Sequence, residues 1–309
     1  MKRYIVDRFM YSVVTFFVIM ALTFLSMKLI PGEPFRNASK LSPEQLQIIK
    51  EHYGLDDPIP VQFLRYLWHF IHGDMGTSFQ FVGQKVTEII GNRIGPSAIL
   101  GAEALVFGVI VGLILGIVAA LKHNTFWDYG SMIIAVLGLS IPGFIFAGAL
   151  QYIFGVQLRW LPVAYWKGFS YTILPAFSLS MVVIATIARF MRTEMLEVLK
   201  QDYILTARAK GLSNWSVIVN HSIRNALIPV ITIVGPLAIA LMTGILVIEK
   251  IFSIPGLGAQ FVLSITTKDY PMIMGVTLFY SGLFIVTVFI VDILYGVIDP
   301  RIRLGGWDR

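Results

Sequence analysis

The sequence predicts an all-α polytopic membrane protein with six transmembrane helices and a folded extracytoplasmic segment after the first of them. Three observations carry this. Of 309 residues, 56% are hydrophobic and only 14% charged, whereas a soluble domain is about 25% charged. A water-soluble chain of this length has nowhere to hide that apolar excess. Six runs of about 20 residues are apolar and nearly free of charge, the length one bilayer crossing requires. None of them alternates residue by residue, which excludes a β-barrel.

The runs are 9–27, 104–121 (extending back past Glu103 towards Ile99), 129–158, 168–188, 225–248 and 270–291. The first follows a basic start (Lys2, Arg3, Arg8) and ends in Ile30-Pro31-Gly32 without a small-residue cleavage site. It reads as an uncleaved signal anchor. In the second, Gly108, Gly112 and Gly116 recur every four residues, on a face shared with Gly101. Small residues at this spacing let transmembrane helices approach closely, within the chain or against a second subunit. The third run is long and holds Pro142-Gly143, which predicts a kink or local unwinding.

Orientation follows from Lys and Arg, which concentrate in cytoplasmic loops. Six spans place both termini on one side. That side holds Lys2, Arg3, Arg8, Lys122, Arg189, Arg192, Lys200, Arg208, Lys210, Arg224, Arg301, Arg303 and Arg309, while the opposite short loops hold Arg159, Lys167, Lys250 and Lys268. The basic side is therefore cytoplasmic. The net charge of +6 is explained by these loops and gives no reason to invoke nucleic acid.

The outer stretch 31–97 reads as folded. Ser42-Pro43-Glu44-Gln45 is a helix start, with Ser at the N-cap, Pro at N1 and Gln at N3. Gly54 closes that helix. A second helix covers 61–71, with Leu64, Leu67, Trp68 and Ile71 on one face. Gly73-Asp74-Met75-Gly76-Thr77-Ser78 is a turn. The stretch is either a cap on the bundle or a docking surface for an outside partner.

The inner loop 193–224 is the longest on its side. Residues 202–210 form a short helix that Gly211 ends in a left-handed conformation. Ser213 caps a second helix, in which Trp215, Ile218, Val219 and Ser222 share a face. Two short helices around a glycine make a knob that fits a partner's groove or lies on anionic lipid.

Catalytic motifs are missing. There is no cysteine, hence no disulfide, thiolate metal site or cysteine nucleophile. The sequence has no phosphate-cradling G-x-x-x-x-G-K-[ST], no H-E-x-x-H and no G-x-S-x-G. All five histidines fall outside the spans. Glu103 is the one acid well inside a span, where it serves as a proton or cation site, or reaches the outer interface or pairs with a neighbour. Spans otherwise lacking charge argue against ion-coupled transport and against a membrane hydrolase.

The run from Arg192 to Leu212 (R-T-E-M-L-E-V-L-K-Q-D-Y-I-L-T-A-R-A-K-G-L) resembles the coupling loop of ABC-importer permeases of the oligopeptide/dipeptide/nickel class. The resemblance extends over the chain through Pro31-Gly32-Glu33-Pro34-Phe35, the turn at 73–78, Asn225-Ala226-Leu227-Ile228-Pro229-Val230, Ile254-Pro255-Gly256-Leu257-Gly258 and Asp292…Tyr295…Asp299-Pro300-Arg301. The start at 31–35 and the turn look most like the oligopeptide branch. The wider importer signature E-A-A-x-x-x-G-x9-I-x-L-P is only partly kept. Leu205 and Thr206 stand at its Glu and first Ala, Ala207 and Gly211 match, and His221, Ile223 and Arg224 stand at its I, L and P.

The resemblance implies a type I ABC importer fold and a division of labour. This chain is a permease subunit, not an enzyme, and binds no cofactor itself. Two cytoplasmic ATP-binding subunits hold ATP and Mg, a second permease subunit completes the channel, and an extracytoplasmic peptide-binding protein delivers cargo. Membrane lipid surrounds the bundle. The coupling residues are Ala207, Gly211, Leu212 and Trp215, of which Ala207 and Gly211 match the family pattern. The implied parts are 1–30 (tail and first span), 31–97 (outer segment), 98–298 (permease core with coupling loop 193–224) and 299–309 (cytoplasmic tail). The expected location is the bacterial cytoplasmic membrane, with peptide as cargo; dipeptide, nickel or glutathione cargo are alternatives. A stand-alone secondary carrier is the competing class, and it should show midplane ionisable groups or inverted repeats.

Overall fold

The computed structural model describes residues 2–29, 42–81 and 83–298. The motif at 31–35 and the tail from Asp299 through Arg301, Arg303 and Arg309 lie outside the described residues. The chain order is α1 (Lys2–Lys28), α2 (Pro43–His52), α3 (Ile59–Ile71), α4 (Val86–Leu121), α5 (Phe126–Ser140), α6 (Gly143–Leu150), α7 (Ile173–Val198), α8 (Asp202–Ala209), α9 (Asn214–Ser216), α10 (Arg224–Ile251), α11 (Leu257–Thr266) and α12 (Tyr270–Ile298). Wider π-helical turns follow α6 at Gln151–Gln157 and join α9 to α10 at Val217–Ile223. No strand occurs among the described residues, only an isolated bridge between Thr77 and Lys85. Among the described residues the helices form two compact units, one made by the chain up to Gly95 with Gly256–Phe289 and the other by Pro96–Pro255 with the end of α12.

In the first unit α1 and α12 run antiparallel. Phe9 meets Phe289 edge-on at 6.5 Å between ring centroids, and at the other end the Lys28 ammonium lies 5.7 Å from the Tyr270 ring centroid. The start of α2 is a reciprocal capping box: Gln45 N–H donates to Ser42 Oγ at 3.2 Å, and Ser42 N–H donates to Gln45 Oε1 at 3.0 Å. In α3 the predicted face keeps Leu64, Trp68 and Ile71 together, while Leu67 turns to the packed side. The packed side is Phe63, Tyr66, Leu67 and Phe70, against α1 and α12. Leu64, Trp68 and Ile71 are 62–65% exposed. The turn at 73–78 is tied to α12 by the buried Asp269, whose carboxylate accepts from the Ser78 hydroxyl and from Phe79 N–H at 3.1 Å.

The second unit is built around α7, most of whose residues are buried. The glycine face of α4 lies on it. A Cβ at Gly108 would fall 2.6 Å from Val183 Cβ, one at Gly112 2.7 Å from Ile187 Cβ, and one at Gly116 2.7 Å from Met191 Cβ and from the Ala188 carbonyl oxygen. Only glycine allows that approach. Gly101 instead faces Ile245 of α10. The hydroxyls of Ser178 and Ser180 on α7 donate to carbonyls of their own helix, Leu174 at 2.7 Å and Phe177 at 2.8 Å. The buried surface therefore stays satisfied without partners elsewhere.

These contacts decide how many times the chain crosses. Five helical runs are long and apolar enough to span, and a sixth, Phe126–Ser140 with Gly143–Gln157, is bent by 107° at the Pro142 break. Contacts 108/183, 112/187 and 116/191 ascend together, so α4 and α7 are parallel. Two parallel spans require a return crossing between them, and the bent pair supplies it. Asp128 at its start pairs with Arg192, Gly138 lies against the Met181 carbonyl, and Gln151 reaches the Ile251 carbonyl at 3.3 Å. The predicted kink is thus a broken crossing, not a re-entrant hairpin, and six crossings stand among the described residues.

Two boundaries differ from those predicted. The α4 helix begins at Val86, ahead of Ile99, and α7 runs on to Val198, past Ala188. Charge ends an apolar run but not a helix. Glu88, Arg93, Glu194 and Glu197 are compatible with helix and simply carry it out of the hydrocarbon.

Candidate functional site

The knob between α7 and α10 is organised by two turns. At the end of α8, Gly211 has φ +78°. Its N–H donates to the Arg208 carbonyl at 2.9 Å, while Leu212 N–H donates to the Ala207 carbonyl at 3.3 Å. This pair of bonds is a Schellman motif, and its left-handed residue is the one where a side chain is costly. Two residues on, Ser213 Oγ accepts from Ser216 N–H at 3.3 Å and caps the following helix.

Ile204, Ala207 and Val217 form the small core of the knob, with Val198 packed against it. Ala207 is 6% exposed, so it packs the knob internally. Gly211 and Leu212 are on the surface, and Trp215 is 75% exposed. Leu205 is a further exposed apolar residue that the sequence reading did not single out. The predicted face of Trp215, Ile218, Val219 and Ser222 is not the one that forms. The buried residues are Val217 and Ser222, five apart, because the chain is π-helical there. The Ser222 hydroxyl donates to the Val217 carbonyl at 3.1 Å across that wider turn. A 3.6-residue period misses this shift of register. Asn225 Nδ2 donates to Tyr203 Oη at 3.2 Å and ties α8 to the start of α10.

At the root of the knob sits a charged cluster not anticipated from sequence. Asp128 is 1% exposed. Arg192 grips it with both ends of its guanidinium, Nε to Oδ1 at 2.6 Å and Nη2 to Oδ2 at 2.9 Å. Asn124 N–H donates to Oδ2 at 3.0 Å, and His123 Nδ1 lies 3.0 Å from the same oxygen. The cluster clamps the α4–α5 turn and α5 onto α7, two turns before the knob begins. Another buried acid, Glu249 near the end of α10, accepts from the Ser97 hydroxyl of α4 at 2.5 Å. Glu103 lines an apolar cleft with Val106, Phe107, Ile110, Phe169 and Phe177. Among the described residues no cluster of three or more His, Asp or Glu side chains is arranged for a metal ion.

Six crossings, with a compact helical knob carried between two spans that pack on each other, make a membrane bundle that presents one small element outside it. Residues 112–304 match the family described as the inner membrane component of binding-protein-dependent transport systems, and residues 1–92 match its N-terminal component. The chain belongs to this family. It is 46% identical over 98% of its length to the dipeptide transport system permease protein DppB of Bacillus subtilis, covering 99% of that protein. It is 41% identical, again over 98%, to the whole of the oligopeptide transport system permease protein OppB of Salmonella typhimurium. In fold it resembles a structure of the MetNI methionine ABC transporter, with TM-score 0.57 and 16% identity over 69% of this chain and 97% of that one.

Proposed function

We propose that the chain is one permease half of an ATP-driven peptide importer in the bacterial cytoplasmic membrane, with both termini and the knob on the cytoplasmic side. The observation that carries this is the knob. It is a self-packed, surface-exposed element whose second helix continues without a break into a membrane span, so a push on it is delivered directly into the bundle. The excess of Lys and Arg on the knob's side supports the orientation. Two ATP-binding subunits, holding ATP and Mg, engage the knob through Gly211, Leu212 and Trp215. Ala207 holds its shape from inside.

When the ATPases close, the knob moves with α7 and α10, and the Asp128–Arg192 clamp makes α5 follow. The bundle then passes between inward-open and outward-open states. A second permease subunit supplies the other wall of the channel, and an extracytoplasmic binding protein supplies peptide. Full-length similarity to di- and oligopeptide permeases supports peptide as cargo. The higher identity to the dipeptide relative, 46% against 41%, favours dipeptides as the second reading of cargo length.

The test is uptake of labelled peptides of two to five residues into proteoliposomes holding the chain with its partner subunits. Uptake requiring both ATP and the binding protein is expected. Peptide uptake by the chain alone, driven by an ion gradient, would replace this reading with a secondary carrier.

A further inference from the structure

The α3 helix belongs to the segment expected to lie outside the membrane, yet its contacts run down α1. Gln62 accepts from the Lys28 ammonium at the end of α1. Phe63 meets Phe24 at 5.4 Å between ring centroids, and Phe70 meets Phe16 at 5.7 Å. The charge-free stretch of α1 lies between Arg8 and Lys28. At 1.5 Å per residue it covers about 28 Å, close to the hydrocarbon thickness. Phe16 is about 18 Å along the helix from Lys28 on the same scale. The far end of α3 therefore reaches at least half-way through the slab that α1 defines. The chain then returns: a Cβ at Gly76 would lie 3.7 Å from Pro271, next to Tyr270, which sits over Lys28.

The faces of α3 sort to match. Phe63, Leu67 and Phe70 pack on α1 and α12. Gln62, Arg65 and His69 line a cavity of 310 Å³ together with Asp74 and Gly76 of the returning loop. Non-helical backbone at membrane depth is tolerated where it lines such a cavity. The third arc is Val61, Leu64, Trp68 and Ile71, 44–65% exposed and without a polar member. Exposed apolar residues of α1, Val18, Leu22 and Leu25, lie at the same levels along the span.

We propose that α3 is a re-entrant intramembrane helix whose Val61–Leu64–Trp68–Ile71 stripe faces the acyl chains of the leaflet at the Lys28 end, while Arg65 and His69 face a water-filled cavity. Lipid is the occupant because the stripe is level with the charge-free length of a membrane span, to whose middle α3 descends. Gln62, Arg65 and His69, which hydrocarbon would penalise, are turned to the cavity, while His72 just past the helix end stacks on Trp68 and bonds the Trp68 carbonyl.

The natural chain has no cysteine, so single sites report without background once the partner subunits are also made cysteine-free. Nitroxide is attached at Leu64→Cys, Ile71→Cys and His69→Cys in the assembled transporter in lipid nanodiscs, and collision rates with oxygen and with a neutral nickel chelate are compared. Oxygen should exceed nickel several-fold at 64 and 71, more so at 71, and the preference should reverse at 69. Nickel preference at all three would make α3 a water-exposed cap. Poor access of both reagents at 64 and 71 would mean that a protein subunit covers the stripe. Either result overturns the proposal. An independent reading needs no label: brominated lipid should quench tryptophan emission of the unmodified chain more than that of Trp68→Phe, and equal quenching would also contradict it.

Discussion

Gly112 and Gly211 are the same residue under opposite demands. At Gly112 the backbone is ordinary helix, and the constraint is volume: an added Cβ would stand 2.7 Å from Ile187 Cβ and 3.0 Å from the Ile184 carbonyl. At Gly211 nothing lies within 4 Å of an added Cβ, and the constraint is the φ of +78°. The α4–α7 seam is thus held by close packing that rejects any bulk. The knob is held by backbone geometry and leaves its surface free for a partner. In the proposed function the seam transmits movement and the knob receives it.

The sharpest way to break this contrast is to exchange the demands. Gly112→Leu forces a whole side chain into the seam. Overpacking by a few methylenes costs about 1–3 kcal/mol, and here the blocking atoms include backbone, so relief requires moving the helices apart. Loss of the assembled complex on detergent extraction is expected, measured by co-purification of the partner subunits. A stable, active complex would show that the seam opens freely.

The Asp128–Arg192 clamp comes next. Asp128→Asn keeps the shape and removes the charge, leaving Arg192 half-satisfied. Breaking a buried pair costs about 3–5 kcal/mol. The lower end applies here, because the Arg192 side chain keeps 24% of its exposure. A lower thermal midpoint with reduced uptake is expected in the purified complex, and unchanged values would mean that the clamp is dispensable. The smallest effect on stability belongs to Gly211→Val, with about 1–2 kcal/mol of left-handed strain confined to one turn. Membrane insertion and complex yield should be normal while uptake is lost. Gly211→Asn, which tolerates that conformation, should retain most uptake. Equal loss in both would assign the defect to bulk at the surface rather than to the turn.

The sequence made local chemistry legible and left long-range pairing hidden. The caps at Ser42 and Ser213, the left-handed ends at Gly54 and Gly211 and the glycine period of α4 are each written within a few residues. Pro142 announced a break, but only the parallel register of α4 and α7 shows that the broken helix still crosses. Asp128 and Arg192 are 64 positions apart, and each reads alone as an interfacial charge at a span end. The packed side of α3 was not legible because both of its apolar arcs have helical period, and pattern alone does not say which one meets protein. The shared face expected of Trp215, Ile218, Val219 and Ser222 does not form because a π-turn inserts a residue that no propensity signals.

The central claim is that the knob between α7 and α10 receives the push of an ATPase. A photo-crosslinking amino acid placed at Trp215, the most exposed apolar residue of the knob, tests it directly in the assembled transporter. Irradiation should yield an adduct with an ATP-binding subunit, which also fixes the knob on the cytoplasmic side. An adduct with the extracytoplasmic binding protein would invert the orientation, and reaction only with lipid would make the knob a membrane-surface helix; either result contradicts the account.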